Sequence, residues 1–357
     1  MQMEAKQAGL TCLCAGWTRK DRAPGAPWAA TLPVLLAALV LVLLASGAVL
    51  AVYYDPRHAF WSVQGIMRGV QGGWLMLGYH RVGAGLVFAL LGLHLFRTLL
   101  VRGYRGAGAM SWMLWVTLLA VLLLTGWLGF VLQGGAGGHW ALLNATRAAV
   151  MMSGFPGTVA MWFFGGPAGG DTLARLLVLH AVLALGAAGL ICMASRAAKR
   201  AKPVPNGQVV AFWPVYASQY FAALAGLALV FSLLLGFAPH WGQGMQSVFA
   251  PTPLLVAVPV SYPWYLWPLA RLAGLLPGVG GQVLAVMVLF VLLYALPWLD
   301  RSNGAPPRRL YKVLIWLLGL DILVLGVAGP MLAALCSAWV FFHFLVLTPL
   351  VTAMEAA

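Results

Sequence analysis

The chain has 357 residues, of which 62% are hydrophobic and only 8% charged, with a mean hydropathy of +0.92. This composition excludes a soluble globular domain. The net charge of +14 would suit nucleic acid, but the basic residues sit at the ends of apolar runs, where they report membrane topology instead and leave no nucleic-acid partner to expect.

A mixed, polar segment at 1-30 lacks the pattern of a cleavable signal peptide. Eight apolar stretches follow, each long enough, at about 20 residues, to cross a ~30 Å hydrocarbon core as a helix: 31-53, 79-100, 111-133, 173-194, 212-237, 281-299, 311-332 and 335-353. The runs are continuous rather than alternating, which excludes a β-barrel. The predicted fold class is all-α integral membrane, with eight transmembrane helices. No repeat of fixed period is present.

Lys6, Arg19, Lys20 and Arg22 precede the first span; Arg97, Arg102 and Arg105 follow the second; Arg196, Lys199, Arg200 and Lys202 follow the fourth; Arg301, Arg308, Arg309 and Lys312 follow the sixth. Fifteen of the 21 Lys and Arg residues thus fall on one face, and the positive-inside rule predicts both termini in the cytoplasm. The opposite face receives the longer loops 54-78, 134-172 and 238-280, where function is expected. Cys12, Cys14, Cys192 and Cys336 form no disulfide framework, and the C-x-C at 12-14 is read as chance.

The second stretch holds two histidines, His80 and His94, fourteen residues apart. Ionisable side chains at membrane depth mark function by default. Fourteen helical residues make about 3.9 turns and rise ~21 Å, so both histidines point to nearly the same side of span 2 at different depths. A haem iron takes a second axial ligand from a facing helix. His180, near the outer end of span 4, is at a depth to pair with His80, read as lying at the start of its span, across a four-helix bundle. The corresponding partner of His94 would be residue 194, which is alanine; Cys192 and Met193 are turned away by 100° or more. His94 is therefore expected to be a hydrogen-bonded residue of the bundle, ligating iron only if an inner haem is present.

These residues, with "GGWLMLGYHRVGAG", "GFVLQGG", "FFGGPAGGDTLARLLVLH" and "LPWLDRSNGAPPRRLYKVLIWLLGLDILVLGVAGP", resemble cytochrome b of the quinol:cytochrome c reductases and their plastoquinol-oxidising relatives, over nearly the whole chain. The resemblance implies a haem-binding four-helix bundle over 31-200 and a C-terminal four-helix region over 201-357. It implies that His80 and His180 are axial ligands of one outer-face haem b, that Gly47 and Gly129 let the macrocycle lie against bare backbone, and that Arg175, with Arg68 as a second candidate, balances a propionate. Leu77 stands where the family usually has another arginine.

Departures from the family cluster. Pro33 and Trp115 replace two glycines of the inner haem site, so with Ala194 three helices imply that the inner haem is missing. Lys199 and "ASQY" (217-220) replace the inner quinone-pocket residues. "YPWY" (262-265) replaces P-E-W-Y, and no Asp or Glu occurs between Asp171 and Asp300 to serve as base. "QGGA" (133-136) replaces P-W-G-Q. His139 and His240 are expected to be solvated, Asp321 to make a hydrogen-bonded helix contact, His343 to be packed and satisfied, and Trp61, Tyr104 and Trp298 to lie in interfacial belts.

The expected function is that of a divergent cytochrome b in the inner membrane of a bacterium, an electron-transfer subunit of a bc-type respiratory complex. Its partners would be an iron-sulfur protein, a cytochrome c subunit or both, with a second, complete cytochrome b and a quinone as further candidates. The alternative is a non-catalytic scaffold that docks the same proteins. A transporter is disfavoured, because broken helices and repeat symmetry are lacking.

Overall fold

The computed structural model describes residues 31-151, 158, 162, 170-200, 212-241, 243-251 and 260-356. The N-terminal segment, with Cys12, Cys14 and its four basic residues, lies outside the described residues, as does Lys202. The helices are α1 (Leu32–Tyr53), α2 (Ala59–Gly69), α3 (Gly73–Leu100), α4 (Ala109–Leu132), α5 (Ala136–Met151), α6 (Gly170–Arg200), α7 (Ala217–Phe237), α8 (Trp267–Ala273), α9 (Gly278–Leu299), α10 (Arg309–Val327), α11 (Pro330–Phe342) and α12 (Thr348–Ala356). A π-helical turn at His343–Leu347 joins α11 to α12 in one long span. Eight spans result, as expected, and the chain is a multi-pass membrane protein with an all-helical fold.

Several boundaries differ from the sequence reading, and two of them have a clear backbone cause. α3 starts at Gly73 rather than near 79, because Gly72 adopts a left-handed conformation (φ 73°) that ends the preceding turn and lets a fresh helix begin. His80 is therefore about two turns inside its helix rather than at its start. α10 stops at Val327, short of 332. The apolar run continues, but Pro330 cannot extend a helix and disfavours helical geometry just before it, so it opens α11 instead.

α1, α3, α4 and α6 form a bundle, α1 packing along α3 and α4 along α6. Its inner half, named for the end at the start of α1 and the end of α3, is filled by Leu36, Leu39, Leu91, Trp115, Leu118 and Ile191. A second cluster joins the inner end of α4, through Trp112 and Val116, to Leu292, Leu296, Tyr311, Ile315 and Val340 of α9 to α11.

That second cluster is closed by a buried ionic clasp at the inner ends of the helices. Arg102, held at φ 51° in the loop after α3, pairs with Glu355 at 2.5 Å and with Asp300 at 3.5 Å, and donates to the carbonyl of Ala305 at 3.1 Å. Tyr104 donates to Asp300 Oδ2 at 2.6 Å, and Arg105 reaches Asp300 at 3.6 Å and the hydroxyl of Ser302. Burial, with Tyr311 and Asp300 alongside, holds the Tyr104 phenol far above its ordinary range, so it remains a donor. Tyr104 is fully buried here, which corrects its reading as an interfacial residue; Trp61 and Trp298 are exposed as expected. A left-handed conformation costs a non-glycine residue roughly 1–2 kcal/mol, which the ion pairs of Arg102 offset. Replacing Arg102 by alanine takes the ion-pair partner from buried Glu355 and one of two from Asp300, and is expected to cost about 3–5 kcal/mol, read as a lowered midpoint of thermal unfolding in detergent. An unchanged midpoint would show that the clasp does not hold the inner ends together.

Candidate functional site

The outer half of the bundle brings His80 and His180 face to face, with ring centroids 6.1 Å apart and planes inclined at 56°. His80 Nδ1 is 3.1 Å from Ser46 Oγ. The Ser46 proton goes to the carbonyl of Val42 at 2.8 Å, so the hydroxyl oxygen accepts and Nδ1 carries the hydrogen. His180 Nδ1 is 3.0 Å from the carbonyl of Thr125; a carbonyl can only accept, so this ring is the same tautomer. Each Nε2 is then an unprotonated lone pair.

Both rings lie against glycine. A Cβ on Gly47 would come within 3.0 Å of His80 Cε1, and one on Gly129 within 3.1 Å of His180 Cε1. Any side chain there would push on the ring beside Nε2. The sequence reading assigned these glycines to a macrocycle; in the structure their bare Cα atoms make room for the imidazoles themselves. Ser46 and the Thr125 carbonyl were not singled out from the sequence. A serine next to a small residue is a weak signal, and a backbone acceptor leaves none.

Two metal–nitrogen bonds of about 2.0 Å plus two ring radii of about 1.2 Å require ~6.4 Å between imidazole centroids. The observed 6.1 Å meets that requirement. Among the described residues, no group of three or more His, Cys, Asp or Glu side chains could hold a metal ion. An iron here would need further ligands, which a porphyrin would supply, with His80 and His180 as the protein residues that would hold it.

Arg68, in the last turn of α2, and Arg175, in the second turn of α6, are both exposed, and Arg175 donates to the carbonyl of Trp162 at 3.1 Å. Leu77 is buried.

The inner half is different. His94 is buried, with its ring centroid 4.3 Å from that of Trp115 at 53°. Its Nδ1 has no hydrogen-bond partner among the described residues, where a hydrogen-bonded histidine was expected, and the contact the structure shows is ring packing on Trp115. Trp115 is fully buried, and Ala194 has no exposed surface, its carbonyl accepting from Ser111 Oγ at 3.0 Å. Lys199 is exposed at the end of α6 and borders the undescribed residues 201-211.

The outer lobe beyond the bundle is aromatic. Tyr265 stacks on Phe88 with centroids 4.2 Å apart, over Gly126, where a Cβ would clash with it at 2.8 Å. Trp264 packs on Trp241, and Tyr262 on Phe130. Pro263 is buried and no acid adjoins it. In "QGGA", Gly134 is left-handed (φ 66°) and Gly135 lies under the Ser247 carbonyl, while the amide of Ala136 donates to Phe249 at 2.8 Å, so this segment is a tight joint to the loop after α7. His139 and His240 are exposed. Asp321 adjoins Cys336 in an apolar groove, and its Oδ2 has no partner among the described residues; His343 is buried with Nδ1 unpartnered, against the expectation that it is satisfied.

Comparison with known proteins accords with this geometry. The family described as Cytochrome b/b6/petB matches residues 28–196, and that described as Cytochrome b(C-terminal)/b6/petD matches residues 252–348. Cytochrome b of Rickettsia bellii is 28% identical over 345 residues, covering 90% of this chain and 86% of its own. Cytochrome b of Rhodospirillum rubrum is 29% identical, covering 87% of this chain and 82% of its own, and that of Arabidopsis thaliana is 29% identical, covering 88% and 85%. A chain of a solved hyperthermophilic respiratory complex III has the same fold, with a TM-score of 0.86 over 99% of both chains at 22% identity. With both halves of the family matched along one chain and two opposed histidines in its first bundle, this protein belongs to the cytochrome b family.

Proposed function

We propose that the chain is the cytochrome b subunit of a bacterial respiratory bc-type complex and holds a single haem b between His80 and His180, near the outer face. The observation that carries this reading is the pair of facing imidazoles, both fixed through Nδ1 with Nε2 free. A bound haem supplies one-electron transfer. The protein's own part is to orient both ligands, through Ser46 and the Thr125 carbonyl, and to clear the space beside them with Gly47 and Gly129. Acceptors on the far ring nitrogen also raise ligand basicity. Arg175 and Arg68 are the proposed solvent-side partners of the propionates.

The filled inner half supports one haem rather than two. Trp115 against His94, with alanine at 194, leaves a single histidine flanked by an indole, and close-packed interiors do not admit a second porphyrin without displacing such a side chain. The aromatic packing around Tyr262–Tyr265, without a carboxylate, supports a chain that lacks the usual quinol base, so that a quinone cycle would need a second, complete cytochrome b. An iron-sulfur protein and a cytochrome c subunit are the proposed redox partners, the bacterial inner membrane the location, and the cytoplasm the side of both termini.

Purified protein is expected to contain about one b-type haem per chain by reduced-minus-oxidised spectra. Two haems would overturn the reading of the inner half, and none would favour a scaffold that docks the same partners. His180→Ala should abolish the haem absorbance and His94→Ala should leave it intact; the reverse result would sink the assignment. Ser46→Ala removes the acceptor for His80 Nδ1 and should weaken haem retention about 10–100-fold, measured by haem loss to an apoprotein acceptor. Gly129→Val should expel the haem while leaving the helical content unchanged by circular dichroism.

A further inference from the structure

Arg81 follows His80 in α3, about 100° further around the helix, on the side where Gly78 meets Leu235 of α7 and Gly85 meets Trp241. It is half-buried within a span. With the Gln243 amide oxygen turned toward it, the guanidinium donates from Nε at 2.8 Å and from Nη1 at 2.7 Å. This partner is neutral.

Among the described residues no acid balances the charge. The chain has seven Asp and Glu residues. Of the described ones, Asp55 pairs with His58, Asp300 and Glu355 with Arg102 and Arg105, Asp321 adjoins Cys336, and Asp171 is exposed in the first turn of α6. Among the described residues no carboxylate lies within ion-pair distance of Arg81.

We propose that Arg81 is an uncancelled positive charge that raises the reduction potential of a haem held by His80, with Gln243 fixing the guanidinium without neutralising it. The inference rests on the single-haem reading above. Arginine keeps its charge in proteins, and a cation beside a redox centre favours the form that carries one electron more. At an effective dielectric near 20, a unit charge within about 10 Å shifts such an equilibrium on the order of tenfold. Arg81 is thus a tuning residue rather than a ligand.

The test is an equilibrium redox titration of the haem absorbance in the purified protein. Arg81→Gln should lower the reduced-to-oxidised ratio at fixed potential about tenfold, equivalent to ~59 mV for a one-electron couple, and Arg81→Lys, which keeps the charge, should stay near the wild-type midpoint. Gln243→Glu places a carboxylate on the intact guanidinium and should lower the midpoint in the same direction, while Gln243→Ala should lower it far less. If Arg81→Gln fails to hold haem, the comparison of Gln243→Glu with Gln243→Ala decides alone. Haem bound with an unmoved midpoint in the charge-changing variants overturns this inference only. Absence of haem from the wild-type protein overturns the reading on which it rests.

Discussion

An imidazole offers a lone pair on one nitrogen only when the other carries the proton, and the outer site depends on that condition being met twice. In α1 the device is local: Ser46 returns its hydroxyl proton to its own helix, accepts from His80, and is followed at once by Gly47, whose missing Cβ admits the ring. In α4 the same two functions lie one turn apart, with the Thr125 carbonyl as acceptor and Gly129 as the clearing. Each histidine is therefore held by the helix it faces rather than by its own, so ring orientation and bundle packing cannot change independently.

This arrangement explains which parts were legible in the sequence. Eight apolar runs and the depth match of His80 with His180 follow from helix periodicity and length, while Gly47 and Gly129 came only with the family resemblance. The acceptors behind the rings follow from neither, because one is backbone and the other is a serine indistinguishable from any packing serine. Helix ends were misplaced where hydropathy and backbone geometry disagree: at Gly72, where a left-handed residue restarts a helix in a weakly apolar segment, and at Pro330, where a strongly apolar run is cut. Tyr104 looked interfacial because tyrosine at a span end usually is. Its carboxylate partner lies 196 positions away, a distance over which no local pattern operates.

The two ends of the molecule handle charge in opposite ways. At the inner ends, Arg102 and Arg105, which count toward topology in the sequence, are bound to Asp300 and Glu355 inside the fold. They join the loop after α3 to the end of α9, to the loop that follows it and to α12. At the outer end the acids, Asp55 and Asp171, are exposed, and aromatic rings fill the lobe around Tyr265. Buried ion pairs resist rearrangement, since opening them strands charge; stacked rings are non-directional by comparison and tolerate sliding. The inner end is thus the fixed frame, and the outer lobe is the part whose shape can differ among relatives without loss of the fold.

The contact between His94 and Trp115 also couples the substitutions open to this chain. Placing histidine at 194 alone would drive an imidazole into volume that is already full, and trimming Trp115 alone would open a void at a cost of about 3–5 kcal/mol. Neither step is favourable before the other has been taken, so a change at either position is tolerated only with a compensating change at its neighbour.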